Sequence, residues 1–180
     1  RSLDLINASI NNKVKNFFYL STAHVYCSPL IGDINENSKT TNKHPYATSN
    51  LLGEKFLTEA ILSSHIKGNI IRLSNVYGTP IHNKTNCWDL VMQDICLQAI
   101  KNKKIILKSN GMQKRDFIPM ESLCIFFEKI LNKEIKITEN IVNLGSGISQ
   151  TIYDIALFVQ NRTEKKFGFF PKIFANEKDK

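Results

Sequence analysis

Tyr46, Asn50 and Glu54 recur four residues apart, which places all three on one face if their segment is helical. A tyrosine near a helix start is either a half-buried amphipathic residue or a proton-transfer group, and spacing alone leaves both readings open. A second polar cluster, Ser21-Thr22-Ala23-His24-Val25-Tyr26, follows the apolar run Phe17-Phe18-Tyr19-Leu20. Such a run reads as a buried parallel strand, and open α/β sheets bind ligands at the carboxyl ends of their strands. Thr22 is then a hydrogen-bonding candidate and His24 a proton carrier near neutral pH. The competing reading is a strand end satisfied by its own hydroxyls. Arg115 offers a guanidinium suited to phosphate, with an ion pair to Asp116 as the plainer alternative.

Other chemistries find less support. His24 and Cys27 have the spacing of half a zinc site, but no second pair follows, and no metal site is expected. The four cysteines form no CxxC pair or regular framework and read as reduced thiols of a cytoplasmic protein. The net charge of +8 raises nucleic-acid binding, yet the densest basic cluster is only Lys101 to Lys104, at the end of a helical pattern where cations are favoured. Neither nucleic acid nor a membrane is expected as a partner, since no apolar run approaches the roughly 18 residues of a span.

These residues need elements to hold them. Leu3, Leu5, Ile6 and Ile10 predict an opening helix, and Phe17–Leu20 a strand. After a polar loop, Pro45 starts a long helix with an apolar face over Leu52, Phe56, Ala60 and Ile61, ending at Gly68. Asn69–Leu73 predicts a second buried strand, completing a βαβ unit, and Val76–Pro80 a loop. Further on, Leu90–Ile100 predicts a helix, Ile105–Leu107 a strand, Leu123–Leu131 a helix and Ile141–Leu144 a strand. Thr151 is placed to cap a last helix through Val159, and the tail from Asn176 is polar.

Read together, several segments resemble one family, the extended short-chain dehydrogenases that include the NAD-dependent nucleotide-sugar epimerases and dehydratases. Ser21–Tyr26 is similar to that family's Ser-Ser/Thr-x-x-Val-Tyr segment, and Pro45–Glu54 to its Pro-Tyr-x-x-Ser-Lys-x-x-x-Glu helix. Arg72-Leu73-Ser74-Asn75-Val76-Tyr77-Gly78 resembles Arg-x-x-Asn-x-Tyr-Gly. Gly111–Ile118 resembles Gly-x-x-x-Arg-Asp-Phe, and Asn143–Gly147 resembles Asn-x-Gly-x-Gly. The resemblance implies an α/β fold: part of a Rossmann-like parallel sheet over residues 1–75, then a small α/β substrate-binding region over 76–180 into which sheet elements return. It implies NAD or NADP as cofactor, a nucleotide sugar as substrate and a homodimer. By the same resemblance Tyr46 is the base, Thr22 its helper and Asn50 the third catalytic position. Ser21, Tyr46, Asn50, Leu73 and Ser74 face the cofactor, while Ala23, His24, Asn75 and Arg115 face the substrate.

Two departures from the family pattern carry consequences. The Gly-x-x-Gly-x-x-Gly turn that receives the cofactor pyrophosphate is absent, which leads to the expectation of a fragment lacking the N-terminal glycine-rich segment and the usual C-terminal stretch. Tight NAD binding by residues 1–180 alone is therefore not expected, and exposed apolar surface is. The second departure is Asn50, which stands where the family has lysine. A phenol titrates near pKa 10, and the lysine supplies the charge that makes it a base at neutral pH. An amide retains hydrogen-bonding capacity but no charge. Lys55, nine residues on, faces elsewhere on an ideal helix, and Lys43 stays open as a substitute. Ala23 and His24 occupy positions where the dehydratases carry an acidic pair, which disfavours elimination of water.

Overall fold

A computed structural model of the chain describes residues 1–63, 65–82 and 84–176. The opening helical pattern forms α1 (Ser2–Asn11), which encloses Ile6. The aromatic run forms β1 (Asn16–Thr22), which passes directly into a 3₁₀ turn over Ala23–Val25. α2 (Pro45–Leu62) begins where its sequence favours it. Proline fixes φ at the first helical position and lacks an N–H to satisfy, while His44 Nδ1 accepts from the Tyr46 amide at 3.2 Å. β2 (Lys67–Leu73) pairs in parallel with β1 and sets Leu73 beside Thr22, completing the expected βαβ unit.

Two details of α2 depart from expectation. The helix stops at Leu62 rather than running to Gly68, which lies inside β2. A Cβ at Gly68 would come within 2.7 Å of the Phe17 carbonyl, so this glycine allows a close approach of the chain to β1 instead of ending a helix. The buried face comprises Ala47, Gly53, Glu54, Leu57 and Ala60, while Leu52 is 52% exposed. Of the apolar face read from the sequence, Ala60 is buried and Phe56 and Ile61 pack partly buried against the core; Leu52 departs from it, and the carboxylate Glu54 joins the buried residues.

Beyond the second strand, β3 (Asn75–Tyr77) is a strand where a loop was expected. α3 (Val91–Asn102), β4 (Lys104–Ile106), β5 (Lys114–Pro119), α4 (Met120–Leu131) and β6 (Ile141–Leu144) follow. The chain continues through β7 (Ser149–Thr151), α5 (Ile152–Phe167) and β8 (Lys172–Phe174). β3, β7 and β8 have three residues each, too few to display an alternation in sequence. The polar tail beyond Asn176 lies outside the described residues.

The chain divides into two units. The first, residues 1–74 and 125–145, contains a parallel sheet in the order β1-β2-β6, with Ile6, Leu57, Ala60, Ile66 and Ile70 buried against it. Leu20 on β1, at one side of this sheet, is half exposed, in line with the expected apolar surface. The second unit, residues 75–124 and 146–180, holds the sheet β3-β5-β7, parallel then antiparallel, and the parallel pair β4-β8. Ile95, Ala99, Ile105, Phe117, Ile155 and Ala156 lie at its core. No helix among the described residues is long and apolar enough to cross a membrane.

α5 carries the predicted Thr151 cap, extended into a capping box. Thr151 Oγ1 accepts from the Asp154 amide at 3.0 Å, and Asp154 Oδ2 accepts from the Thr151 amide at 3.1 Å and its hydroxyl at 2.6 Å. The Thr151 side-chain and backbone hydrogen bonds hold the Asp154 carboxyl below the usual range, with a smaller contribution from Lys114. A depressed folded-state pKa means that the stabilisation is complete above the unfolded carboxylate pKa and fades as pH falls through the folded one. Amide protection factors, taken relative to the intrinsic exchange rate, are expected to fall in the first turn of α5 below about pH 4. Asp154→Asn should remove that pH dependence; an unchanged profile in the variant would refute the assignment.

Candidate active site

β1 and β2 run parallel and end side by side, so Thr22 and Leu73 share one edge of the sheet, with Leu144 of β6 beside Leu73. The chain turns sharply after Thr22, whose buried Oγ1 accepts from the His24 amide at 3.2 Å. With Oγ1 accepting there, the Thr22 hydroxyl hydrogen remains available to a ligand. The same turn brings the His24 ring edge-on to the Tyr46 ring, with centroids 6.4 Å apart. Asn42 Nδ2 donates to the His24 carbonyl at 2.7 Å and fixes the loop that leads into α2. Tyr46 is 55% exposed at the start of that helix. His24 and Tyr46, distant in sequence, are thus brought together beside Thr22 at the carboxyl ends of parallel strands.

Asn50 sits one turn beyond Tyr46 and donates from Nδ2 to the Tyr46 carbonyl at 2.8 Å. Its amide is bound to its own helix, with Oδ1 left as an acceptor. Neither lysine considered as a substitute changes this picture. Lys55 pairs with Glu59 at 3.8 Å on the exposed side of α2, and Lys43 takes part in none of the ion pairs found among the described residues.

What fixes α2 to the sheet is a buried ionic network that the sequence reading did not anticipate. Glu54 takes a bidentate fork from Arg72, with Nε at 3.0 Å from Oε1 and Nη2 at 2.6 Å from Oε2. The Ser21 hydroxyl donates to the same Oε1. Arg72 Nη1 donates to the Tyr26 hydroxyl at 3.0 Å, and that hydroxyl donates to Asn143 Oδ1 at 2.6 Å. Glu36 closes the circuit from the loop by accepting from the Asn143 amide at 2.7 Å. Burial works against the Arg72 cation, yet the hydrogen bonds and charges of Glu54 and Tyr26 more than offset it and raise its pKa. The available signal was Arg72 itself, a charge within the apolar strand run Asn69–Leu73, which requires a buried partner.

The cofactor-side candidates separate into two kinds. Ser21 is buried and its hydroxyl is committed to Glu54, so its side chain supports α2. Ser74, just past β2, donates its amide to the Leu144 carbonyl at 2.9 Å. Its Oγ is buried with no hydrogen-bond partner among the described residues, and an orphaned buried hydroxyl is costly unless a ligand or water completes it. A nicotinamide cofactor fits these groups at the strand ends, where the orphaned Ser74 hydroxyl and the acceptor face of Asn50 are available to a polar ligand.

In the second unit, Asn75 on β3 donates from Nδ2 to the Asp116 carbonyl of β5 at 2.8 Å, which places Asn75 and Arg115 on paired strands. Asp116 accepts from the Ser146 amide and hydroxyl at 2.9 and 2.8 Å and from the Ile148 amide at 3.2 Å. Arg115 is half-buried, and none of the ion pairs found among the described residues includes it.

This arrangement defines a Rossmann-like α/β protein with a polar cluster at the ends of its parallel strands. The chain belongs to the NAD dependent epimerase/dehydratase family, whose model matches residues 2–145. It is 25% identical over 169 residues to a dTDP-D-glucose 4,6-dehydratase of Dictyostelium discoideum, covering 87% of this chain and 37% of that protein. It is also 25% identical over 162 residues to an uncharacterized UDP-glucose epimerase of Bacillus subtilis, covering 90% of this chain and 49% of that protein. Among solved structures, a UDP-N-acetylglucosamine 4-epimerase from Methanobrevibacter ruminantium superposes with a TM-score of 0.79 at 23% identity, over 99% of this chain and 56% of that one. A UDP-glucuronic acid 4-epimerase from Bacillus cereus in complex with NAD gives 0.79 at 22%, over 98% and 57%. The chain thus spans about half or less of the length of the curated relatives it matches.

Proposed function

We propose that the whole protein to which this chain belongs is an NAD(P)-dependent sugar-nucleotide epimerase or reductase in which Tyr46 moves the proton. The observation that carries this reading is the cluster of Thr22, His24 and Tyr46 at the carboxyl ends of parallel strands, in a chain of the epimerase/dehydratase family. Bound NAD or NADP supplies the hydride acceptor. Tyr46 takes the proton of a sugar hydroxyl through its phenolic oxygen, and the Thr22 hydroxyl donates to the same sugar oxygen. The His24 ring holds the Tyr46 ring from one side and, with Ala23, lines the sugar. Ser74, Leu73 and Asn50 meet the cofactor, while Ser21 acts behind them by securing Glu54. Asn75 and Arg115 hold the substrate diphosphate. Residues 1–75 thus serve the cofactor and 76–180 mainly the substrate. A homodimer packing through α2 would cover its exposed Leu52 and Leu62.

Epimerisation or reduction is preferred to dehydration although dehydratases are among the relatives, because Ala23 and His24 supply no carboxylate pair for eliminating water. A second reading, a nucleotide-binding relative with impaired catalysis, is favoured by one observation: the Asn50 amide is engaged with its own helix and brings no charge to Tyr46.

Calorimetric titration with a panel of UDP- and dTDP-sugars tests the substrate class. At least one should bind, and Arg115→Ala should weaken it by roughly ten- to a hundredfold, as for a lost charge-assisted hydrogen bond. Absence of binding across the panel would overturn the proposal.

A further inference from the structure

The lysines that look scattered along the sequence are partly gathered by the fold. Lys13, Lys15, Lys67, Lys133 and Lys136, from three separate segments, line one cleft of about 1110 Å³ in the first unit. The cleft lies at the amino-terminal ends of the strands, since Asn16 and Lys67, the first residues of β1 and β2, both line it. Among the described residues, no aspartate or glutamate lines it. All five lysines are exposed, and none takes part in the ion pairs found among the described residues. Glu134 and Glu139 lie in the same loop but do not line the cleft, and Glu134 accepts instead from Asn132 Nδ2 at 3.3 Å.

The plainer account is that these lysines complement helix ends. Ile10, Ile61 and Ile130 bring the last turns of α1, α2 and α4 to the cleft, and each helix end carries roughly half a negative charge. Three such ends offset only about one and a half of five positive charges, so a clear cationic excess remains. Lys13 and Lys133 also hold φ of 54° and 62°, a region that favours glycine or asparagine, so lysine stands at both positions against local preference. A cleft lined by one sign of charge focuses the field and concentrates counter-ions. Its walls also include Phe18, Ile61, Ile66 and Ile137, which supply apolar surface beside the ammonium groups.

We propose that this cleft binds a polyphosphorylated small molecule, an oligophosphate or a nucleoside triphosphate, at a site separate from the one around Tyr46. The seven residues of β1 run from Asn16 at the cleft to Thr22 at the candidate active site, about 20 Å. The ligand is thus distinct from the nucleotide sugar proposed above, and the cleft size suits a small molecule.

Calorimetry with inorganic tripolyphosphate and with adenosine triphosphate, at low and moderate salt, tests this directly. Tripolyphosphate should bind more weakly as salt rises. The triple variant Lys13→Gln/Lys67→Gln/Lys133→Gln should weaken binding by roughly tenfold or more, by summing several exposed charge contacts. Lys15→Gln/Lys136→Gln, tested independently, should weaken it in the same direction, with circular dichroism showing both variants folded. Arg115→Ala should leave tripolyphosphate affinity unchanged while impairing the nucleotide-sugar site, so the two proposals fail separately. Tighter binding of adenosine triphosphate than of tripolyphosphate would assign the apolar wall to a base; equal binding would assign the cleft to oligophosphate alone. No tripolyphosphate binding at low salt, affinity indifferent to both sets of lysines, or tighter binding of an RNA oligonucleotide would overturn the proposal.

Discussion

Asn50→Lys is expected to raise turnover at neutral pH by roughly ten- to a hundredfold. A cation within about 4–6 Å favours the ionised form of an acid by roughly one to three pKa units, and the rate of a general-base step follows the fraction of base available. Position 50 stands one helical turn from Tyr46, the right separation for a side chain at 50 to reach the neighbourhood of the phenol. Asn50 contributes no charge and donates its amide to the Tyr46 carbonyl. Replacing it with lysine exchanges an intrahelical hydrogen bond for a mobile cation, which also moves the pH–rate profile to lower pH. Steady-state kinetics on the nucleotide sugar that the protein turns over, across a pH series, checks both effects. An unchanged rate and profile would mean that the cation comes from elsewhere, with Lys43 the first residue to examine.

The largest effect on stability is expected from Arg72→Met. Removing the guanidinium leaves Glu54 buried with the Ser21 hydroxyl as its remaining partner and withdraws the donor to Tyr26. Breaking one side of a buried pair costs about 3–5 kcal/mol, because the surviving charge stays desolvated. For a chain of this size that corresponds to a fall in Tm of roughly 6–20 °C. The double variant Glu54→Leu/Arg72→Met should recover much of the loss, since an apolar pair of similar volume leaves no buried charge uncompensated. Thermal melts of the two single variants and the double variant form the cycle. Additive losses would show that the two groups act independently. The network also bears on function: Glu54 joins α2 to β1 through Ser21 and to β2 through Arg72, and Tyr46 lies eight residues earlier on the same helix, about 12 Å along its axis.

Much of this architecture was legible because its signals are local. Phe17–Leu20 and Asn69–Leu73 read as buried strands, and Pro45 marked the helix start that puts Tyr46 on its first turn. The strand–helix–strand order then dictated a parallel pair, and with it the shared edge of Thr22 and Leu73. The family segments added Ser74 and Arg115; among the described residues the Ser74 hydroxyl has no hydrogen-bond partner and no ion pair includes Arg115.

What escaped the sequence is what depends on long-range pairing. The burial of Glu54 on α2 escaped because it reads as a surface residue until Arg72, eighteen residues later, is brought against it. Gly68 looked like a helix end, although its role is set by the Phe17 carbonyl on the neighbouring strand. β3 looked like a loop because three residues carry no period and its partner β5 lies some forty residues away. The five lysines of the basic cleft looked scattered because their common feature is position at one end of a sheet, which sequence order does not display.

The most direct measurement of the central claim compares the whole protein, not residues 1–180 alone, with its Tyr46→Phe variant in the interconversion of nucleotide sugars, with NAD or NADP supplied and products resolved by NMR. The account predicts turnover of at least one nucleotide sugar by the wild type. In the variant it predicts a loss of about 10²–10⁴ in kcat with nucleotide-sugar affinity retained, as expected when a proton-transfer group is removed from an intact binding site. A variant as active as the wild type, or a wild type that binds nucleotide sugars and turns none over, would contradict it.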